Sequence, residues 1–157
     1  MATSDRDGAG LERDAVRRIA VSLYNATWGL LERDDRTPED DLRMLHMAHA
    51  SRYHWGEIGE PVNFSRGEWL CSHVYAVLGR AEPARYHAER SLELCEANAI
   101  ADFDLAYAHE ALARAHRAAG DEQAAMREAH LAEGLADGIA DAEDREHFLG
   151  DLADLLG

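Results

Sequence analysis

Two stretches of the chain decide its fold: residues 74–94, VYAVLGRAEPARYHAERSLEL, and residues 112–135, LARAHRAAGDEQAAMREAHLAEGL. In each stretch one helical pattern ends at a glycine and a second begins shortly after it, which predicts a helical hairpin. The two glycines, Gly79 and Gly120, lie 41 residues apart. Superposition on that interval pairs Tyr75 with His116, Ala84 with Ala125, Ala88 with Ala129, Ser91 with Ala132, and Cys95 with Ala136. Small residues recur where two helices approach closely, so the chain contains an internal repeat.

Outward from these hairpins, helical patterns cover the rest of the chain. Thr37-Pro38 is typical of an N-cap followed by a proline in the first turn, Pro83 opens another helix, and Pro61 separates two helical patterns. Seven helices are predicted, over residues 11–33, 38–58, 63–78, 83–98, 103–119, 122–137 and 142–155. Because the connections are short, neighbouring helices should pack antiparallel. No stretch alternates long enough to predict a strand, so the expected fold class is all-α.

The two stretches resemble tetratricopeptide repeats (TPR), in which an aromatic residue precedes a turn glycine and alanines follow on the second helix. The matching residues are Tyr75, Gly79, Ala84 and Leu92 in one copy and Gly120 and Ala125 in the other. His116 stands in for the aromatic residue, Ser91 for an alanine, the closing proline is missing, and the interval exceeds the usual ~34 residues. The resemblance covers residues 63–137. It implies a short TPR-like array of stacked hairpins, with helices 1 and 2 as a leading hairpin and helix 7 as a C-terminal cap.

The resemblance also implies a function, because stacked hairpins present a concave face to a peptide or partner protein. The first helix of each hairpin lines that face, and its expected residues are Trp69, His73, Tyr107, Glu110, Arg114 and Arg117. A tryptophan beside arginines is the composition found at interaction hot spots. An ordinary solvated face is the alternative interpretation of the same residues.

Length and charge limit the range of functions. The 157 residues indicate one domain, predicted over residues 10–157 after a disordered tail of residues 1–9. The formal net charge of -15 argues against nucleic acid and membrane surfaces as partners and favours basic peptides, cations or simply water. All 16 basic residues are arginines, which excludes lysine chemistry. The polar start, MATSDRDGAG, and the absence of a CxxC pair predict a cytoplasmic protein with reduced cysteines.

The densest unusual segment is the second predicted helix, in which residues 42–59 read LRMLHMAHASRYHWGEIG. It holds His46, His49 and His54. When its apolar face is aligned with that of the fourth helix, His46 and His49 take the positions that Leu92 and Cys95 have in the fourth helix. Both histidines are therefore predicted on the packed side of the helix. A buried histidine needs partners for its ring nitrogens, so this histidine cluster is a candidate site.

Three kinds of partner would satisfy these histidines. The first is ordinary hydrogen bonding to backbone, tyrosine or serine groups. The second is a divalent transition metal (Zn, Cu, Fe or Ni), with the predicted ligands His46, His49, His54, Glu68 and His73. The third is a small ligand in a polar pocket, with a histidine as acid or base. The spacing matches neither the HExxH of zinc proteases nor the ExxH of di-iron bundles.

Recognition of a peptide or partner protein on the concave face is the predicted function. The alternative is a small helical metal- or ligand-binding protein, or an enzyme, that uses the histidine cluster on helix 2. Self-assembly into a homodimer through helix 1 or helix 7 is a third option. The chain contains no GxGxxG, GxxxxGK[ST] or GxSxG motif, so no signature of a nucleotide site or a serine nucleophile supports an enzyme class.

Overall fold

A computed structural model describes residues 4–157 of the chain, with side chains from Glu12 onward. It contains seven α-helices and one 3-10 helix: α1 Ser4–Leu31, α2 Pro38–Ile58, α3 Pro61–Val77, α4 Ala81–Ala97, α5 Asp102–Ala118, α6 Glu122–Leu135, the 3-10 helix Ala136–Gly138, and α7 Ala142–Leu156. No strand occurs between Ser4 and Gly157, so the all-α prediction is confirmed. Within the same range, none of the helices has the length and apolar character needed to cross a membrane.

The first helix is longer than the sequence predicted. It begins at Ser4, whereas the helical pattern was expected from residue 11. Residues 1–3 of the predicted tail lie outside the described residues, and disorder of the tail stays a prediction. At the turn of the leading hairpin, the predicted boundary is confirmed, because α2 begins at Pro38 after a capping box formed by Thr37 and Asp40.

The repeated hairpins end their first helices in the same way. Gly79 and Gly120 have φ angles of +70° and +77°, a left-handed conformation that glycine adopts without strain. The same backbone hydrogen bond closes both ends: the Arg80 N–H donates to the Tyr75 carbonyl at 2.8 Å, and the Asp121 N–H donates to the His116 carbonyl at 3.0 Å. Both helices therefore have the glycine C-cap that the 41-residue superposition predicts.

The helices stack as hairpins. Consecutive helices pack against one another from α1 to α7, and α5 also packs against both α3 and α7. Trp28 of α1 stacks on Trp69 of α3 with ring centroids 5.7 Å apart, so α1 lies in one layer with α3, α5 and α7. One side of the molecule is therefore formed by α1, α3, α5 and α7, and α7 closes the end of the stack.

Small side chains make the helix contacts close. The buried faces of the second helices consist of Ala84, Ala88, Ser91 and Cys95 in α4, and of Ala124, Ala125, Ala129 and Ala132 in α6. Gly67 of α3 has the same role toward α2, because a Cβ there would lie 2.6 Å from Cδ of Arg52. In α7, Phe148 and Leu152 are fully buried, and each such side chain contributes about 1.5–3 kcal/mol of hydrophobic stabilisation.

Candidate functional site

The packed face of α2 differs from the predicted one. Its buried residues are Met44, Leu45, Ala48 and Ser51. His46 is exposed, so the prediction that it lies on the packed side is wrong, and His49 is half-buried. The spacing of Met44, Ala48 and Ser51 is the same as that of Ala84, Ala88 and Ser91 in α4. Packing follows this alignment because it buries Met44 together with the small side chains of Ala48 and Ser51, and it turns His46 outward.

His49 contacts side chains of α3 and α4. Its Nε2 lies 2.8 Å from the Tyr75 hydroxyl oxygen, and its Nδ1 lies 3.8 Å from Cys71 Sγ. Its ring meets the ring of His87 edge-on, with centroids 5.2 Å apart. Burial lowers the pKa of His49 and raises the pKa of the Cys71 thiol to about 12. Both groups are therefore neutral at pH 7, and Cys71 is not an activated nucleophile.

The five predicted metal ligands do not form one site among the described residues. His46 is exposed, His49 contacts Tyr75, His54 contacts Tyr53, Glu68 contacts Arg52 and His87, and His73 lies against Trp28 and Trp69. Over the residues whose side chains the structure describes, no group of three or more His, Cys, Asp or Glu residues is placed to hold a metal ion. Ordinary hydrogen bonding is thus the partner that the structure provides for His49.

A groove of about 500 Å³ opens on the side of the molecule formed by α1, α3, α5 and α7. All three tryptophans of the chain line it. Its aromatic lining consists of Tyr24, Trp28, Trp55, Trp69, Phe103 and Tyr107. Its charged or titratable lining consists of Arg66, Asp104, Asp144, His147 and Asp151. We refer to this feature as the aromatic–acidic groove.

The aromatic rings of the groove form a continuous wall across three helices. Trp28 stacks on Trp69, and Trp69 meets the ring of Tyr107 edge-on with centroids 5.4 Å apart. Phe103 lies 4.5 Å from Tyr107, again between ring centroids. Such contacts fix the orientation of each ring and leave aromatic surface facing the groove.

The acidic groups lie along the α5 and α7 side of the groove. The Asp104 carboxylate accepts two hydrogen bonds from Arg66, at 2.7 and 3.0 Å. The Tyr107 hydroxyl donates to Asp151 Oδ2 at 2.7 Å, and His147 Nε2 lies 3.5 Å from the same oxygen. Burial, together with this hydrogen bond, raises the pKa of Tyr107, so its hydroxyl remains the donor. Asp144 is exposed in the first turn of α7. Among the residues whose side chains are described, the lining therefore holds three carboxylates and one guanidinium.

A polar network lies behind the aromatic wall. Glu110 is fully buried and accepts hydrogen bonds from Trp69 Nε1 at 3.2 Å and from Arg114 Nε at 2.8 Å. Burial raises the pKa of Glu110, and Arg114 opposes that shift. His73 stacks on Trp69 and contacts Trp28, with centroids 5.1 and 5.6 Å away. Its Nδ1 is buried and has no hydrogen-bond partner among the described residues, and burial lowers its pKa to about 3.

No protein-family model, curated protein or solved structure matches this chain. The side chains of the aromatic–acidic groove offer aromatic faces and carboxylate oxygens on one surface, which is a combination that binds flat or cationic groups.

Only part of the predicted partner-binding set faces the groove. Trp69 and Tyr107 line it, whereas His73, Glu110 and Arg114 lie behind the wall. The sixth predicted residue, Arg117, donates hydrogen bonds to the carbonyls of Asp154 and Leu155 at the end of α7.

Trp28, Trp55 and Asp151 were missed in the sequence. A signal for two of them exists, because Trp28, Trp69, Glu110 and Asp151 follow one another at intervals of 41 residues. Extension of the repeat interval to the first and last helices would have placed Trp28 and Asp151 beside the predicted residues. Trp55 has no such signal, since it reaches the groove from the end of α2.

Proposed function

We propose that this chain is a binding module that holds a peptide segment of a partner protein in the aromatic–acidic groove. The observation that carries the proposal is the convergence of all three tryptophans on one concave surface. Tryptophan and tyrosine dominate the residues that supply binding energy at protein interfaces, and they do so most strongly in central, concave positions. A volume of about 500 Å³ lies within the range of ligand sites and accommodates several side chains.

The repeat architecture supports the same proposal. The groove is formed mainly by first helices of hairpins, which is the face that tetratricopeptide-like arrays present to their partners. The equal glycine C-caps of α3 and α5 and the small-residue faces of α4 and α6 agree with membership of that family. The family and its mode of peptide binding remain proposals for this chain.

The histidine cluster of α2 has less support as a site. His46 is exposed, no three possible ligands among the described residues are placed to hold a metal ion, and Cys71 is a neutral thiol. By contrast, the groove combines concavity, aromatic surface and charged groups, which are the usual marks of a binding site.

A library of short random peptides displayed on phage tests the proposal. Peptides selected on the wild-type protein should lose at least tenfold in affinity for Trp55→Ala, because this residue is half-buried in the groove wall. Tyr53→Ala is the matched control: it removes an aromatic ring from the same helix, where it is 65% exposed outside the groove. Affinity would be measured by calorimetry, and circular dichroism would confirm that both variants are folded.

A second variant protects the test against indirect effects of Trp55→Ala. Asn25 is exposed and lines the groove, so Asn25→Trp adds bulk there without removing a core contact. It should also abolish binding of the selected peptides. If no peptide is selected, or if the selected peptides bind both variants as well as the wild type, the groove is not a peptide site.

A further inference from the structure

We infer that the segment held in the groove is basic and places an arginine side chain against the aromatic wall with its guanidinium at Asp151 and Asp144. This inference rests on the proposed function and adds the chemistry of the ligand. It follows from the arrangement of rings and carboxylates, from one internal precedent, and from the charge of the whole chain.

The aromatic wall ends on a carboxylate. Trp69 packs against Tyr107, and the Tyr107 hydroxyl donates to Asp151. A cation that lies over these rings is therefore next to an acidic group. The contacts that Asp151 makes to Tyr107 and His147 both fall on Oδ2, which leaves Oδ1 to accept from a ligand.

The charges of the groove are unevenly matched. Arg66 pairs with Asp104, and both nitrogens of that bidentate contact are used on one carboxylate. Asp144 and Asp151 face the same groove, and the described side chains that line it include no guanidinium besides that of Arg66. An acidic segment would be repelled by these carboxylates. An apolar segment would displace water from the carboxylates without replacing the hydrogen bonds that the water makes. A cationic segment satisfies both groups.

The chain already holds one guanidinium in the proposed manner. Arg52 Cζ lies 4.9 Å from the centroid of the Phe64 ring, and Arg52 Nε donates to Glu68 at 2.9 Å. An aromatic face and a carboxylate together thus fix the position of a planar cation. Arginine is favoured over lysine in the groove because its planar group can stack on a ring and still donate to a carboxylate.

The net charge of -15 attracts cations over the whole surface, so a specific site must be separated from general attraction. Asp144→Asn with Asp151→Asn removes two charges from the groove while it keeps an acceptor for Tyr107. Glu143→Gln with Asp154→Asn removes two charges from exposed positions of the same helix that do not line the groove. The two double variants have equal net charge.

The peptides selected from the random phage library serve as probes. We expect these peptides to contain arginine and their affinity to fall as salt is added. Their affinity should fall about tenfold for Asp144→Asn with Asp151→Asn, but less than about twofold for Glu143→Gln with Asp154→Asn. Replacement of the key arginine by citrulline, which is flat and neutral, should cost at least as much. Replacement by lysine should weaken binding severalfold.

The outcomes separate the inference from the function on which it rests. Two outcomes would show that the inference of a basic ligand is wrong while the proposed binding module stands. In one, the selected peptides depend on Trp55 but are neutral or acidic; in the other, both double variants lower the affinity of the peptides equally. Equal affinity of lysine and arginine peptides would overturn the assignment of arginine. If no selected peptide depends on Trp55, the proposed function and this inference fail together.

Discussion

The hairpins α3–α4 and α5–α6 occupy equivalent places in the repeat, and both join their two helices by a Glu–His contact, with the glutamate on opposite helices. In the first, Glu68 of α3 meets His87 of α4, with 2.6 Å between Oε2 and Nδ1. In the second, His109 of α5 meets Glu128 of α6, with 2.8 Å between the same two atom types. Each residue of one pair lies 41 positions from its counterpart. The repeat thus determines where the two helices are joined, and either helix can carry the acid.

The same two hairpins differ in their interiors. The first contains polar contacts: Ser65 Oγ lies 3.0 Å from Ser91 Oγ, and Ser72 donates to the Ala84 carbonyl at 2.7 Å. Their counterparts, 41 residues later, are the fully buried alanines Ala106, Ala132 and Ala113. Both solutions satisfy packing, since each hydroxyl has a partner and each alanine needs none.

The functional difference lies at one further pair of positions. Trp69 and His73 of α3 correspond to Glu110 and Arg114 of α5, and Trp69 Nε1 donates to Glu110 across the helix contact. Aromatic residues in one copy are thereby held in place by an ion pair in the next. Divergence at these positions contributes to the aromatic–acidic groove, whereas the exchanged Glu and His residues and the Ser-to-Ala differences lie in the scaffold between the helices.

The ion pair of the second copy should give the largest effect. Arg114→Met leaves the fully buried Glu110 with only the Trp69 hydrogen bond, so the free energy of unfolding should fall by about 3 kcal/mol. Urea denaturation at pH 7 measures this. The double variant Glu110→Gln with Arg114→Met removes the unpaired charge as well and should recover most of the loss. If Arg114→Met unfolds at the same urea concentration as the wild type, the pair does not support the wall.

His73, the first-copy counterpart of Arg114, should show its role as a dependence on pH. Its pKa is about 3 in the folded protein and about 6.5 when exposed, because burial disfavours the cation. As the pH falls below 6.5, His73 binds a proton in the unfolded state but not in the folded state. The free energy of unfolding therefore has its full value above pH 6.5 and decreases as the pH falls toward 3. At pH 5 the loss amounts to about 2 kcal/mol.

His73→Phe tests this prediction, since a phenyl ring keeps the stacking on Trp28 and Trp69 and cannot titrate. The nearby charged groups, Glu110 and Arg114, are present in both proteins, so their own pH dependence cancels in the difference. Urea denaturation should show the variant gaining about 2 kcal/mol on the wild type between pH 7 and pH 5. Parallel stability curves would mean that the His73 ring is solvated.

The seven helices and several of their ends could be predicted from the sequence because the signals are local, although α1 begins at Ser4 and α4 at Ala81, earlier than predicted. Gly79, Gly120 and Thr37-Pro38 act within one turn of the chain, and each boundary is where it was expected. The face of α2 could not be predicted in the same way. Histidine is compatible with a buried or an exposed position, so the pattern around His46 allowed two alignments, and packing of Met44 and Ala48 decided between them.

The groove could be predicted only in part. Trp69 and Tyr107 follow from the choice of first helices as the lining. Glu110 was expected on the same face, but its burial depends on how closely α3 and α5 approach, which no local pattern contains. Trp55 comes from the end of a second helix, so its position depends on the stacking of the leading hairpin.

The reversed Glu–His pairs give the smallest expected effect and the sharpest comparison. Exchange of the partners in α5–α6, His109→Glu with Glu128→His, should change the free energy of unfolding by less than about 0.5 kcal/mol, because the pair is merely turned around. The same exchange in α3–α4, Glu68→His with His87→Glu, should cost about 1 kcal/mol, because Glu68 also accepts from Arg52 at 2.9 Å. Burial alone would raise the pKa of Glu68, but His87 and Arg52 hold it below its ordinary value.

Double-mutant cycles under urea measure both exchanges. In an Arg52→Met background the α3–α4 exchange should become as small as that in α5–α6, and a loss that persists there would show that Arg52 does not distinguish the two hairpins.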